Sequence, residues 1–338
     1  MNILVICHYG LYEDLSASFV HQPTKALAAL GHRVRVIVPC AYGKPGRDGR
    51  PFGKGLIISQ ADGVTLYDVR YLSLSGYGEK GFNTKSAIAA IRPHLGKILQ
   101  DFAPDVIHAH TLGFDSGIGA WLKERLACPL IITTHGGDTN RPMARGELHW
   151  LRASCAPADR IVAVSGQLGR TLAKCCTDTP IEVIHNGFIL RDPEPVEKDP
   201  YGIIQVGHLI PSKHFDTTIR CLARLKDKYP AMTLTIVGQG PLRGQLEELC
   251  KLEGVADRVT FTGQIPNGEV FSRMCRASFF VMASHPEGFG IVYLEAMAAG
   301  CLTIGALRRG IQEGGSLCGL RLTLPDGAPA EEGERSGR

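Results

Sequence analysis

The chain has 338 residues, of which 44% are hydrophobic and 21% charged, and its mean hydropathy is +0.01. This length suits two α/β domains of ordinary size, and the composition is typical of a globular protein and argues against a polytopic membrane protein. The formal net charge is +4, and the eleven cysteines form no C-x-x-C pair and no metal-site spacing, which favours a reduced cytoplasmic setting without structural disulfides.

The first half of the chain alternates short apolar runs with helical patterns. The opening segment, MNILVICHYG, goes directly into an apolar strand over Ile3 to Cys7 without a basic leader, so we expect no signal peptide. A helix over Phe19 to Leu30 ends at Gly31. Further strands are predicted at Val34 to Val38, Val64 to Tyr71, Val106 to His108, Leu130 to Thr133, Ile161 to Val164 and Ile181 to Ile184. Because helices separate the strands, we expect right-handed crossovers and a mostly parallel sheet buried on both faces.

A polar, proline-dense segment divides the chain. Residues 191–201, RDPEPVEKDPY, are predicted as a linker between an N-terminal domain, 1–190, and a C-terminal domain, 202–313. After the linker, strands are predicted at Ile203 to Val206, Leu234 to Val237, Val259 to Phe261, Phe279 to Met282 and Leu302 to Ile304. Units of this type bind ligands at the carboxyl ends of their strands, and two facing units leave a cleft between them.

The most informative segment is SHPEGFGIVYLEAMAAG, residues 284–300. It turns through Glu287 at the end of a strand and enters a helix that carries Glu295. Small glycines let the backbone approach a ligand closely, and the free N–H groups of a helix start attract a phosphate. The two carboxylates are eight positions apart, just over two helical turns, so both are expected to face the cleft. The alternative is a loop glutamate beside a glutamate that the helix dipole favours.

This segment resembles the signature of the retaining glycosyltransferases of family 4, E-G-F-G-x-x-x-x-E-A-M-A-x-G, at every fixed position. The sequences IIQVGHLIPSKHF (203–215), LTIVGQGPLR (234–243) and VTFTG (259–263) are similar to the family's V-G-R-L-x-x-x-K-G, I-V-G-x-G-P and V-x-F-x-G. The resemblance implies an α/β fold of the GT-B type, with two Rossmann-like domains whose parallel sheets face across a cleft. Within the family, the chain resembles the branch that makes surface polysaccharides and teichuronic acid.

The resemblance assigns donor-binding roles in the C-terminal domain. Lys213 would pair with the donor diphosphate, Glu287 would hold the donor sugar as a catalytic residue, and Glu295 would hold the ribose. Phe289 and Gly290 would add substrate contacts from the turn that begins at Glu287.

The chain departs from the family pattern at two positions beside Lys213. The family's second diphosphate cation, an arginine, falls on His208, and the glycine after the lysine falls on His214. A neutral imidazole donates only one hydrogen bond and lacks the guanidinium fork. We therefore expect His208 to give weaker or pH-dependent diphosphate binding; the alternative is a passive residue at the end of a strand.

The resemblance is looser in the N-terminal half. PDVIHAH (104–110) looks like the family's P-D-V-I-H-x-H strand, and THGGD, which ends at Asp138, looks like its T-x-H-x-x-D segment. By that match His135 is catalytic and lies against the reacting sugar. Asn186, in VIHNG, matches an N-G pair with either a turn or a cleft role. Gly10 follows the first strand, where the family often has a glycine-rich loop, but Ala17 stands where one branch has another glycine.

His108 and His110 are two residues apart on a predicted strand, so their side chains point to the same face, as some metal sites require. No carboxylate or cysteine completes a ligand set, and we prefer packing or acceptor contact to metal binding. The resemblance implies that neither a metal nor an organic cofactor is needed, because Lys213, His208 and helix-start amides would stabilise the departing diphosphate.

The leading hypothesis is transfer of a hexose-type sugar from a nucleoside-diphosphate sugar to a glycan or lipid-linked acceptor, with retention of anomeric configuration. A dinucleotide-dependent oxidoreductase is disfavoured because no G-x-G-x-x-G follows the first strand. An inactive or weakly active relative that only binds sugar nucleotide is the remaining alternative.

The N-terminal half is the basic one. Between Lys25 and Lys97 there are twelve Lys or Arg residues against four Asp or Glu. The pattern indicates either a solvated surface or attraction to an anionic lipid headgroup or acidic acceptor. We predict a cytoplasmic protein, with peripheral contact to the inner face of the cell membrane as the finer hypothesis, and no nucleic-acid partner.

The family resemblance ends near the C-terminus. It continues through the G-G-x-x-E-like turn at Gly310 to Glu313 and then stops. Residues 314–338 contain six glycines and two prolines without helical periodicity, so they are predicted to be disordered. Because the family continues through further strands and a closing helix, we expect an incomplete C-terminal domain, with a frameshift as one explanation and impaired activity as its consequence.

Overall fold

The computed structural model describes residues 1–8, 18–42, 55–74, 81–193, 195–306 and 320–322. The chain divides into two compact units, Met1–Gly187 and Phe188–Arg338. The division falls close to the predicted end of the first domain at residue 190. The last three residues of the predicted linker, 199–201, already belong to the first strand of the second unit.

The first unit is built on one sheet of eight strands in the order β3-β4-β2-β1-β5-β6-β7-β8. All pairings are parallel except that of β3 with β4. The strands are β1 (Asn2–Ile6), β2 (Arg33–Tyr42), β3 (Leu56–Ala61), β4 (Val64–Leu72), β5 (Val106–His110), β6 (Leu130–Thr134), β7 (Arg160–Ala163) and β8 (Ile181–Val183). The helices are α1 (Ser18–Ala29), α2 (Phe82–Ile91), α3 (Leu95–Ile98), α4 (Phe114–Leu126), α5 (Gly137–Ala144), α6 (Leu148–Cys155) and α7 (Gly166–Leu172).

The second unit is built on a parallel sheet of six strands in the order β11-β10-β9-β12-β13-β14. The strands are β9 (Asp199–Val206), β10 (Thr233–Val237), β11 (Val259–Gly263), β12 (Ala277–Met282), β13 (Leu302–Ala306) and β14 (Leu320–Leu322). The helices are α8 (Phe215–Leu225), α9 (Arg243–Leu252), α10 (Asn267–Arg276) and α11 (Ile291–Ala298).

The central strands of both sheets are buried on both faces, as predicted. Successive side chains of a strand point to opposite faces, and in β1 Ile3 and Val5 join one buried cluster while Leu4 and Ile6 join another. In the second unit Ile203 and Ile204 are divided in the same way. The mostly parallel α/β architecture is therefore confirmed. No helix in the described ranges is long and apolar enough to cross a membrane.

The structure differs from the sequence prediction at two strands. β3 was not predicted; it turns back into β4 through Asp62 and Gly63, both with positive φ, in a tight hairpin. In the segment predicted to be disordered, Leu320 to Leu322 form β14, which pairs with β13. Three residues give too short an apolar alternation to stand out among six glycines. The predicted turn at 310–313 and the rest of 314–338 lie outside the described residues.

Candidate active site

The centre of the candidate site is an ion pair between two loops of the second unit. Lys213 follows β9 and Glu287 follows β12, the neighbouring strand of the sheet. The Lys213 Nζ donates to Glu287 Oε2 over 2.6 Å, and both side chains are mostly buried. Ser284 Oγ donates to the same carboxylate oxygen over 2.7 Å. The structure thus brings together two of the residues that the family resemblance assigns to the donor, Lys213 and Glu287.

The Glu287 carboxyl group is held in its ionised form. Burial favours its protonated form, but the charge of Lys213 and hydrogen bonds from Lys213, Ser284 and the Gly288 N–H outweigh this effect, so the pKa lies below its usual value. A carboxylate fixed by three donors has a defined orientation and little freedom to rotate. Ser284 was inside the motif but carried no predicted role.

The loop that carries Lys213 is short and tightly bonded. Residues Pro211–Lys213 form one turn of 3-10 helix, and the next residue, His214, has φ 48 and ψ 47. This left-handed conformation favours glycine, which explains why the family pattern has a glycine at that position. The His285 N–H donates to the Ser212 carbonyl over 2.8 Å, so the Lys213 loop and the Glu287 loop are also joined through their backbones.

Two glycines let the loop after β10 pack against the Lys213 loop. A Cβ on Gly238 would lie 1.9 Å from the Gly207 carbonyl oxygen, and a Cβ on Gly240 would lie 2.6 Å from that of Leu209. Neither position tolerates a side chain unless the backbone moves. The I-V-G-x-G-P resemblance is therefore explained by close packing of these two loops.

His208 lies in the same loop as Lys213 and is exposed. The backbone on both sides of it still pairs with the loop after β10, since the Gly207 N–H donates to Val237 and the Leu209 N–H donates to Gln239. His208 therefore occupies the predicted position at the carboxyl end of β9. A role in diphosphate binding stays a prediction.

The turn after Glu287 prepares the start of α11. Gly290 has φ 80, and a Cβ there would lie 2.7 Å from the Tyr293 ring. Phe289 is 6% exposed, so its ring belongs to the packed interior of the turn. Glu295 lies on α11 and is half-buried; burial raises the pKa of its carboxyl group, and the charge of Arg191 opposes this shift.

The helical-spacing argument for the two glutamates was wrong. Helix α11 begins at Ile291, so Glu287 lies before the helix and the eight-residue separation does not place both carboxylates on one helical face. Gly290, in the left-handed conformation, changes the chain direction between them. The placement of Glu287 comes instead from its bonds to Lys213 and Ser284.

His135 follows β6 in the first unit, in a turn held by Asp138. The Asp138 carboxylate accepts hydrogen bonds from the Leu112, His135 and Gly136 N–H groups and from Thr134 Oγ1, over 2.9 to 3.2 Å. Asp138 was part of the quoted THGGD motif, but sequence reasoning gave it no role. Its function is to fix the turn that carries His135.

Three histidines, His108, His110 and His135, lie together near the carboxyl ends of β5 and β6; His110 is buried and the other two are half-buried, and burial lowers the pKa of all three, which keeps them neutral near pH 7. The rings of His108 and His110 lie 4.2 Å apart, which confirms that they share a face, and His110 Nδ1 is 3.1 Å from His135 Nε2. Burial lowers the pKa of His108 to about 4, and burial followed by the influence of His108 lowers the pKa of His135 to about 3. In the described part of the chain, no three His, Cys, Asp or Glu side chains are arranged so that they could hold a metal ion.

Asn186 and Gly10 complete the predicted set. Asn186 is half-buried after β8, next to the boundary of the first unit, and its role stays a prediction. Gly10 and Ala17 lie outside the described residues.

The chain matches known proteins over both units. The model of "Glycosyltransferase Family 4" matches residues 16–191, and that of "Glycosyl transferases group 1" matches residues 188–313. Glycogen synthase from Mycobacterium tuberculosis (strain CDC 1551 / Oshkosh) is 27% identical, over 94% of this chain and 84% of that protein. GDP-mannose:cellobiosyl-diphosphopolyprenol alpha-mannosyltransferase from Xanthomonas campestris is 26% identical, over 69% of this chain and 62% of that protein. The solved structure of Anabaena Alr3699/HepE in complex with UDP and glucose has a TM-score of 0.68 at 18% identity, and the match covers 96% of this chain and 86% of that one.

Proposed function

Because this chain belongs to glycosyltransferase family 4, we propose that it transfers a hexose-type sugar from a nucleoside-diphosphate sugar to a glycan or lipid-linked acceptor, with retention of anomeric configuration. The observation that carries the proposal is the Lys213–Glu287 pair, a mostly buried cation and anion at the carboxyl ends of two neighbouring strands. In open α/β sheets, ligands bind at the carboxyl ends of the strands.

In the proposed reaction the bond from the anomeric carbon to the diphosphate oxygen breaks, and a bond from that carbon to the acceptor oxygen forms. The acceptor's hydroxyl proton leaves with the diphosphate. Lys213 and the N–H groups at the start of α11 would stabilise the negative charge that develops on the diphosphate. Glu287, whose carboxylate is held by Ser284 and Gly288, would accept hydrogen bonds from the hydroxyls of the donor sugar.

Four further residues complete the assignment. His208 would be a second contact to the diphosphate, and Glu295 would hold the ribose, for which a half-buried carboxylate is a suitable acceptor. His135 would contact the reacting sugar as a neutral imidazole, because its pKa near 3 leaves it uncharged at neutral pH. Phe289 would contribute through its main chain, since its ring is buried.

The names of two similar proteins support the donor and acceptor classes. The Xanthomonas relative is named for GDP-mannose and for a sugar linked to diphosphopolyprenol. The Anabaena structure contains UDP and glucose. Both are consistent with a hexose donor, and the first is consistent with a lipid-linked acceptor. Polysaccharide biosynthesis at the cell envelope is the process we propose.

Donor hydrolysis tests the function without knowledge of the acceptor. We would incubate the full chain with UDP-glucose, GDP-mannose and ADP-glucose and measure the released nucleoside diphosphate, with Glu287→Ala as the matched control. We expect the wild-type chain to release the nucleoside diphosphate from one of the donors, and Glu287→Ala to release none. Binding of a donor without any release would instead favour the alternative of an inactive relative. For the active donor, the anomeric configuration of the released sugar, read by NMR before it equilibrates, tests retention.

The basic character of the first unit supports a peripheral contact with an anionic membrane from the cytoplasmic side. Described basic residues of this part include Lys25, Arg33, Arg35, Arg70, Lys85, Arg92 and Lys97. Each basic residue near such a surface contributes about 1 kcal/mol. Co-sedimentation with phosphatidylglycerol vesicles, but not with phosphatidylcholine vesicles, is the expected result; equal recovery with both would contradict the contact.

A further inference from the structure

The central strand of the second unit contains a buried amide. The interior half of β9 reads Ile-Ile-Gln-Val, and Gln205 has no exposed surface. It is paired with Ile236 of β10 and lies beside Ile204, which pairs with Phe280 of β12. A glutamine in the middle of a strand that is apolar on both sides needs an explanation, because a buried amide loses its hydrogen bonds to water.

Among the described residues, the amide nitrogen of Gln205 has a hydrogen-bond partner and the amide oxygen has none. Gln205 Nε2 donates to the main-chain carbonyl of Lys213 over 3.0 Å. Its buried Oε1 has no hydrogen-bond partner among the described residues. An apolar side chain of similar shape would avoid this unpaired carbonyl. Stability of the fold therefore does not explain the glutamine at this position. The hydrogen bond to the Lys213 main chain does explain it.

The bond from Gln205 reaches the main chain of Lys213, so it does not use the ammonium group that a ligand would contact. The Lys213 side chain is held by Glu287, but a diphosphate would compete with Glu287 for the same ammonium group. The main chain of Lys213 is held from the strand below by Gln205, and Ser212 is held by His285. Neither backbone hydrogen bond involves the Lys213 ammonium group, so a ligand that binds this group need not break them.

We propose that Gln205 is a positioning residue for the donor diphosphate. Its amide holds the Pro211–Lys213 turn so that the Lys213 ammonium group stays at the carboxyl end of β9 during diphosphate binding. The inference rests on the proposed role of Lys213 in binding the diphosphate.

The test compares Gln205→Met with Thr218→Val in the full chain. Thr218 is a matched control because it is 2% exposed, lies on α8 just after the Lys213 turn, and its Oγ1 has no partner in the described part of the chain. Binding of UDP, GDP and ADP, and of uridine, guanosine and adenosine, would be measured by calorimetry. Unfolding without ligand would be followed by circular dichroism.

We expect Gln205→Met to unfold at the wild-type temperature or above it. It should bind the preferred nucleoside diphosphate about three- to tenfold more weakly than the wild type, which is the effect of one net hydrogen bond. Its affinity for the matching nucleoside should equal that of the wild type. Thr218→Val should likewise unfold at the wild-type temperature or above it, and it should bind every ligand as the wild type does. If Gln205→Met and a second variant, Gln205→Leu, both lower the unfolding temperature and weaken the nucleoside equally, Gln205 is only structural and the proposal is wrong.

A double-mutant cycle with Lys213→Ala separates this inference from the function on which it rests. If Gln205 acts through Lys213, adding Gln205→Met to Lys213→Ala changes diphosphate affinity no further. A full additional loss would overturn the positioning role. Wild-type affinity in Gln205→Met, together with a large loss in Lys213→Ala, would overturn the inference and leave the role of Lys213 intact. Wild-type affinity in Lys213→Ala would reject the proposed diphosphate contact itself.

Discussion

At the scale of single residues, the Lys213–Glu287 pair has two roles that oppose each other. In the free protein it neutralises two mostly buried charges, whose separation would be costly. In the proposed complex the same ammonium group must interact with the diphosphate as well as with Glu287. A site of this kind is electrostatically prepared before the ligand arrives, which is where such contacts have their largest effect on rate.

We predict that Lys213→Ala and Glu287→Ala each lower the transfer rate by about two orders of magnitude, the usual loss of one preorganised electrostatic contact. Steady-state kinetics with the donor identified by hydrolysis provides the measurement. Arg273→Ala is the control, because Arg273 forms an exposed ion pair with Glu269 on one helix and such pairs contribute little. A wild-type rate in either site variant would remove the residue from the site.

His208 allows a gain-of-function prediction. We expect His208→Arg to bind the donor more tightly, because a guanidinium group is always charged and matches the oxygens of a phosphate with two parallel donors. His208→Gln, which cannot carry a charge, should bind no better than the wild type. Donor titration at constant pH compares the three proteins. Equal affinity in all of them would show that His208 does not face the diphosphate.

At the scale of elements, the second unit depends on a lysine that the sequence prediction placed in a linker. Lys198 Nζ donates to the carbonyls of Cys275, Ala277 and Ala299 over 2.9 to 3.0 Å. These carbonyls lie at the C-terminal ends of α10 and α11, where helices leave unpaired acceptors and a cation is favoured. The Lys198 side chain therefore caps the C-terminal ends of both α10 and α11, and α11 is the helix that follows Glu287.

We predict that Lys198→Met lowers the free energy of unfolding by about 2 to 4 kcal/mol, since charge-assisted bonds are lost and buried acceptors lose their donor. Urea unfolding followed by circular dichroism gives the measurement. Lys251→Met serves as the control, because Lys251 is an exposed helical lysine paired with Glu248. Equal stability of the two variants would mean that water replaces Lys198 without loss.

The histidine group on β5 and in the turn after β6 predicts a pH dependence of the first unit. Unfolded histidines take up a proton below about pH 6.5, whereas the native pKa is about 4 for His108 and about 3 for His135. The unfolded state therefore binds more protons between these values, and native stability falls as the pH falls. For each histidine, the free energy of unfolding falls by at most about 1.4 kcal/mol per pH unit.

The two tryptophans, Trp121 and Trp150, both belong to the first unit, so urea unfolding at pH 7, 6 and 5 followed by their fluorescence reports on this unit. We expect stability to fall across the series, and less steeply in His108→Phe, which removes one of the titrating rings. A stability that stays constant from pH 7 to pH 5 would show that the native histidines take up protons as readily as the unfolded ones.

Strands were predictable where burial on both faces produces an unbroken apolar run, as in β1 and β10. β3 lies at the sheet edge with half of its residues exposed, and its signal was instead the Asp62-Gly63 turn, which the apolar pattern does not register. The motif at Glu287 was found, but its geometry was not, because a left-handed glycine separates the loop from the helix.

At the scale of the whole molecule, the repetition of α/β units and the family signature were enough to predict two Rossmann-like units. Long-range polar contacts were not predictable. Lys198 bonds to carbonyls 77 to 101 residues away, and Asp138 to an N–H group 26 residues away. Nothing in the local sequence distinguishes Lys198 from a solvated lysine, and the motif that contains Asp138 does not indicate its distant partner. Gln205 differs, because an amide within an apolar strand is visible in sequence although its partner is not.

The donor site also predicts how ligands stabilise the protein. Binding to the native state alone at a hundred times the dissociation constant adds about 2.7 kcal/mol to the free energy of unfolding. Because we propose that Lys213 and the start of α11 bind the diphosphate that all donors share, we expect at least one of UDP, GDP and ADP to raise the unfolding temperature at millimolar concentration. The matching nucleoside, which lacks the diphosphate, should raise it much less. Thermal unfolding by circular dichroism, with Lys213→Ala as the control, measures both. An equal shift from nucleoside and diphosphate, or an undiminished shift in Lys213→Ala, would show that the base and ribose carry the binding and that the Lys213 loop is not the diphosphate site.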